Sequence, residues 1–240
     1  MKDEEVATGD ERLAAHNNRR LVYAFLSRVY EKEMTVDLLK ELTRGNDLVS
    51  QMGSSEGFDE GKFRKGFEML GGYLRSAAGR DLNQVKLELA VEYANLFLGV
   101  KGRPLHPSES VYVSDDHILY QESRDRVQSI YWEAGVDKKK EYTEPEDHIA
   151  IELQFMEYLC RRTVEALEKD DKAEATKYLR TQKDFIELHL AKWVPHLTKD
   201  VLETAEVDFY KGIAYITDAF IAMDRKTIDE FLDEDGPFSS

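Results

Sequence analysis

Apolar residues recur at helical spacing along almost the whole chain and almost nowhere at the alternating spacing of a strand. Phe63, Phe67, Leu70 and Leu74 form one stripe, and Val85, Leu89, Tyr93, Leu96 and Phe97 a second. Ile149, Leu153, Met156, Cys160, Val164 and Leu167 form a third. Tyr178, Gln182, Phe185, His189 and Trp193 follow with one polar interruption, and Leu202, Ala205, Phe209, Ile213, Ile216, Phe220 and Met223 make the longest. The short run Ser110-Val111-Tyr112-Val113 is the one strand candidate, and turn-prone residues precede it. The class is therefore all-α. Several separate apolar faces imply a globular bundle of about eight helices rather than a coiled coil. The helices are expected near 10–31, 35–50, 59–78, 82–98, 121–134, 144–169, 171–193 and 198–224, with ends good to about two to four residues. Phe209, Ile216 and Phe220 are expected in the core.

Breakers place the joints. Gly53 to Gly57 reads as a loop, and Gly99 to Pro107, with two Gly and two Pro, as the longest one. Gly135 ends a helix, and the charged stretch after it reads as a hinge over 137–143. That hinge separates an N-terminal helical part, 1–136, from a C-terminal part, 144–240, within one compact fold. It would also permit exchange of parts between two chains, so a monomer and a domain-swapped dimer both stay open. Pro195 is expected to close the helix that carries Trp193. The acidic end, from Asp229 to Asp235 and then Gly236-Pro237, is expected to fray.

Bulk properties exclude several functions. The chain has 240 residues, 42% of them hydrophobic, so it can bury a real core. A net charge of −15 argues against nucleic acid as a partner, because phosphate binding needs a basic face. One cysteine, Cys160, rules out an intrachain disulfide and fits a reducing compartment. Arg19-Arg20 before Leu21 to Leu26 imitates an export signal. The acidic flank before it, the early Arg28 and the lack of a cleavage site refuse that reading. Leu13, Leu21, Phe25 and Val29 instead repeat at multiples of four, as on one face of a first helix. No stretch is long and apolar enough for stable membrane insertion.

The densest polar cluster is Glu144-Pro145-Glu146-Asp147-His148, just before Ile149. Thr143 and Glu146 have capping-box spacing, and Pro145 suits a first turn. Capping leaves His148 unexplained, since a charged His is misplaced at the positive end of a helix. Spacing alone favours a structural role for the cluster. Glu144, His148 and Glu152 are spaced by four and offer a metal-dependent enzyme as a rival reading, but such a row is usually a solvated face. The paired Glu-x-x-His motifs of a carboxylate-bridged bundle do not occur. Glu88 and Glu92 are expected to be exposed, His189 to be a hydrogen-bonded core residue and Cys160 a small buried hydrophobe. No catalytic residue, metal site or resident cofactor is expected.

Three segments, in order, resemble a known family. Tyr93-Ala94-Asn95-Leu96-Phe97-Leu98-Gly99 is similar to the aromatic-x-x-Leu-Phe signature of the TorD/DmsD/NarJ-type chaperones, which mature molybdenum-containing redox enzymes. Pro107-Ser108-Glu109-Ser110-Val111-Tyr112 resembles the loop that follows it, and Glu144-Pro145-Glu146-Asp147-His148 the Glu-Pro-x-Asp-His motif beyond the hinge. The resemblance runs from about residue 10 to 225 at the level of pattern. Tyr93 stands where some members have Trp, and Glu109 where a small residue is common.

The resemblance implies an all-helical, cytoplasmic, non-catalytic assembly chaperone. Its partners would be the twin-arginine signal peptide and the catalytic subunit of a molybdoenzyme, held back while cofactor is inserted. It implies a peptide-binding surface made of Tyr93, Leu96, Phe97, Pro107, Ser110, Tyr112, Asp147 and His148, with neighbouring Glu144 adding charge. Carboxylates suit guanidinium groups, and an apolar groove suits the rest of such a peptide. Leu96 and Phe97 are as readily core as contact; Tyr93 and Tyr112, with polar tips, are the better contact candidates. His148 either orients Asp147 or responds to pH. A helical adaptor with no signal-peptide role is the third reading.

Overall fold

The computed structural model describes residues 9–44 and 61–234. The expected loop at 53–57 lies outside them, as do residues 45–50 of the second expected helix. The helices are α1 (Gly9–Glu31), α2 (Val36–Thr43), α3 (Lys62–Ala77), α4 (Leu82–Phe97), α5 (Glu109–Val113), α6 (Glu122–Glu133) and α7 (Ile149–Leu167). Then come α8 (Lys172–Phe185), a π-helical turn over Ile186–Leu190, α9 (Ala191–Thr204) and α10 (Asp208–Glu234). The fold is all-α. The strand candidate at 110–113 is the short helix α5, and a single antiparallel bridge, Ser108 to His148, is the β-type pairing among the described residues.

α1 lies along α7, α10 lies along α3, and α7 also packs on α8. The α3–α10 crossing is close enough for backbones to touch. A Cβ added at Gly212 would come 2.8 Å from Leu70 N and 2.9 Å from Gly66 O. One at Gly66 would sit 2.8 Å from Ile216 Cγ1. Only glycine fits at either side of that contact. Phe209, Ile216 and Phe220 are buried, as their stripe requires, in a core cluster that draws on residues from both sides of 137–143.

Four expectations fail, the first only in part, for identifiable reasons. In α1, Phe25 and Val29 of the expected row are buried, whereas Leu13 is half-buried and Leu21 exposed. A step of four residues drifts by about 40°, so the multiples-of-four row meets the core only in the second half of the helix, and His16, Arg19, Tyr23, Leu26 and Tyr30 complete the buried face. Pro195 does not close a helix but lies inside α9. Its missing N–H would have served the carbonyl of Ala191, and both residues lie on the exposed side of the helix, open to solvent. The joint falls ten residues later, where buried Glu92 accepts from Glu206 N and, at 3.0 Å, from Val207 N, at the start of α10. Glu92 was expected to be exposed; it is an end-cap supplied from another helix. The acidic end stays helical to Glu234, because Asp229 pairs with Lys183 and Phe231 is buried. Residues 235–240 lie outside the described part.

Arg19 shows what the Arg pair is for. It is buried, and its guanidinium donates to Asp224, to Gln182 Oε1 at 2.5 Å and to His16 Nδ1 at 3.0 Å. Tyr23 donates to Asp224 Oδ2 at 2.6 Å. One ion pair thus ties α1, α8 and α10 together. Burial, and then Arg19, push His16 down to about 3. Arg20 points the other way, 3.9 Å from Glu157, half-buried.

Candidate functional site

The second and third motif segments meet. After α4 the chain reverses at Gly99, whose φ of +74° suits glycine, with Val100 N donating to Ala94 O at 3.3 Å. Leu105 N then donates to Leu96 O at 2.7 Å, which lays the loop back over α4. Two more backbone bonds pin it to the start of α7: Ile149 N to Pro107 O at 2.8 Å and Glu109 N to Asp147 O at 2.9 Å. Asp147 Oδ2 accepts from Ser110 N at 2.8 Å and from Ser110 Oγ.

The polar cluster therefore serves this seam rather than a capping box. α7 begins at Ile149, not at 144, and Thr143 is exposed. Glu146 is held by Arg124 Nε at 2.5 Å and Lys138 Nζ at 3.2 Å. The N-cap is His148, whose Nδ1 accepts from Ala150 N at 3.2 Å. Burial, and then Lys138, push His148 down to about 4, so it is neutral near pH 7. A neutral imidazole acceptor removes the conflict with the helix dipole. Glu144, His148 and Glu152 do not share a helical face: Glu144 is exposed before the helix, and Glu152 is buried within it. Among the described residues, no group of three or more His, Cys, Asp or Glu side chains is arranged to hold a metal.

Beneath the seam lies an acidic cluster. Glu109 Oε2 is 2.8 Å from His189 Nδ1 in the π turn, and Trp193 Nε1 donates to Glu152 Oε2 at 3.0 Å. Asp147 Oδ1 and Glu152 Oε1 are buried with no hydrogen-bond partner. Burial pushes Glu152 well above the usual carboxylate range, with the charges of Glu109 and Asp147 adding to it. Burial also raises Asp147, although the Ser110 bonds oppose that. His189 is a hydrogen-bonded core residue, as expected; its partner, Glu109, could not be found by spacing, because 80 residues separate them. The role of Glu152 was also missed. Its place on the inner side of α7, beside the stripe, was the available signal.

The remaining residues of the expected surface fall in two places. Tyr93 is buried, with its hydroxyl donating to Tyr30 O at 3.0 Å. Leu96 and Phe97 are in the core. Tyr112 is half-buried, stacked on Trp193 at 5.7 Å between ring centres. It lines a cleft of about 560 Å3 with Arg103, His106, His117, His196 and Asp200. His117, in the cleft wall, and Tyr120, beyond it, hold left-handed backbone at φ 52° and 62°. Such conformations cost energy in non-glycine residues.

The sequence model of the family described as "Nitrate reductase delta subunit" matches residues 60–199, more than half of the chain. A chaperone protein TorD of Vibrio cholerae (serotype O1, strain ATCC 39541) is 30% identical over 155 residues, covering 65% of this chain and 69% of that one. TorD of Shewanella pealeana is 25% identical over 223 residues, covering 89% of this chain and 91% of its own. The chain belongs to the TorD/NarJ-type family of redox enzyme maturation chaperones. As a member of that family it has an all-helical fold, and no helix among its described residues is long and apolar enough to cross a membrane.

Proposed function

We propose that this TorD-type chaperone acts in the cytoplasm, without catalysis, on the twin-arginine signal peptide of a molybdenum-containing redox enzyme subunit, and holds that subunit until its cofactor is in place. The observation that carries the reading is the seam. Two motif segments far apart in sequence are pinned together by Asp147 and Ser110, beside an open cleft. Relatives along nearly the full chain are named as TorD chaperones.

Within this reading the residues divide by depth. Glu144, exposed, meets a guanidinium directly, and Tyr112 offers an aromatic wall. Asp147, Ser110, Pro107 and His148 hold the loop that carries Tyr112. Tyr93, Leu96 and Phe97 fix the helix from which that loop springs.

Calorimetry with a synthetic signal peptide, with and without its Arg pair, tests the proposal. The intact peptide should bind at least about tenfold more tightly, a difference of about 1.4 kcal/mol. Glu144→Gln should remove most of that difference. Equal binding of both peptides would reduce the protein to a helical adaptor.

A further inference from the structure

α4 is apolar on two opposite sides. Val85, Leu89, Tyr93 and Leu96 point inward and are buried. Leu87, Val91 and, after about two more turns, Leu98 lie on the other side at i, i+4 and i+11. They are 58%, 50% and 63% exposed. Val100, just past the helix end, is 70% exposed. Ala90 and Ala94 fill the spaces between, so no polar side chain interrupts the row. Here the outer row faces solvent over about 16 Å, at 1.5 Å per residue. Scattered exposed apolar residues need no explanation, but a continuous row marks an interaction surface.

The surroundings say what kind of partner fits. Leu87, Val91, Ala90 and Ala94 line a groove of about 620 Å3 whose wall includes the exposed carboxylate of Glu33 and also Lys86. Glu33 has no ion-pair partner among the described residues, whereas neighbouring Glu31 is paired with Lys32 at 3.1 Å. An apolar groove with an unpaired carboxylate in its wall complements a segment in which basic residues adjoin an apolar run.

We propose that the outer face of α4, with Leu87, Val91 and Leu98, is the docking surface for the apolar run of the client's signal segment, with Glu33 beside the segment's basic residues. The proposal rests on the signal-segment reading above and locates its apolar half. The motif residues of α4 then face inward to set the helix in place, and the unremarked residues between them face the peptide.

The test uses the full chain and two synthetic peptides, each with two adjacent arginines, one followed by an apolar run and one with that run replaced by serines. Leu87→Ser/Val91→Ser should leave the melting temperature unchanged, since both side chains are exposed. It should weaken the apolar peptide about tenfold or more and leave the serine peptide unaffected. As a second measurement, Val91→Cys carrying an environment-sensitive dye should shift to the blue with the apolar peptide only. Equal affinity of wild type and double variant, with no dye response, would overturn the surface assignment while leaving the signal-segment reading in place. Failure of wild type to bind either peptide would overturn that reading and the surface with it. A wild-type dimer that dissociates in the double variant, with unchanged peptide affinity, would assign the face to a second copy and also overturn the proposal.

Discussion

Two buried polar clusters among the described residues are built on opposite terms. The cluster around Arg19 is charge-matched: one guanidinium faces one carboxylate, and both Asp224 oxygens accept hydrogen bonds. The cluster around Glu152 gathers three carboxyl groups against one His, and two carboxyl oxygens have no partner. The first joins α1, α8 and α10 and includes no residue of the motif segments. The second lies under the loop that carries Tyr112. A matched cluster makes a rigid staple, and an acid-rich one responds to its surroundings. The fold thus places its charge-matched contact, in which His16 Nε2 alone lacks a partner, in the architecture and keeps its unbalanced one beside the candidate site.

Removing half of the matched pair should have the largest effect. Asp224→Ala leaves Arg19 buried without its counter-charge and should cost about 3–5 kcal/mol in urea unfolding. Replacing both partners, as Arg19→Met with Asp224→Leu, should recover most of that, because the loss comes from stranding a charge. A cost below about 1 kcal/mol for Asp224→Ala would break the comparison.

The clusters should also differ in the sign of their pH dependence. His16 is pushed from 6.5 down to about 3, so between those values the unfolded chain binds more protons. Its contribution to stability therefore rises with pH across that window and is lost as pH falls towards 3. Glu152 is pushed the other way, above its usual 4.5. Above 4.5 the folded chain holds the extra proton, so this contribution falls as pH rises. One proton sets a limit of about 1.4 kcal/mol per pH unit on either slope. His148, pushed down to about 4, adds to the rising limb between 4 and 6.5. In urea midpoints measured across pH, Glu152→Gln should flatten the falling limb and leave the rising one. The same substitution should cost little at pH 7, under about 1 kcal/mol, since the amide oxygen still accepts from Trp193. A steep loss on Glu152→Gln at all pH values would make this cluster another staple.

How far these features were legible follows from their range. The stripes of α3, α4 and α10 and the stop at Gly135 are local patterns, and the chain follows them. Charged residues of the core were not legible. Arg19 meets Asp224 across 205 positions and Glu92 caps α10 across 114, and no periodicity carries such pairings. At Thr143–Glu146 a local cap pattern was present, but the tertiary seam used Glu146 for Arg124 and Lys138 instead. The motif order picked out the two segments that the seam joins. Only packing assigns Asp147 to Ser110 and leaves Glu144 at the surface.

Asp147→Asn should have the smallest effect on stability and separates the two clusters most sharply. Asp147 Oδ2 accepts both bonds from Ser110, and an amide oxygen can keep both. Its Oδ1 has no donor, so an NH2 group in that place strands no partner and finds an acidic neighbourhood. The substitution also removes one of the charges that crowd Glu152. Gain and loss nearly cancel, and the expected change is within about 0.5–1 kcal/mol, far below that for Asp224. The effect should be local and visible in hydrogen exchange. The amide of Ser110 loses a charge-assisted bond and should exchange faster, whereas that of Ile149, bonded to Pro107 O, should change little. Unfolding by several kcal/mol on Asp147→Asn would mean that the acid-rich cluster carries the fold as Arg19 does, and the contrast between a staple and a responsive seam would be lost.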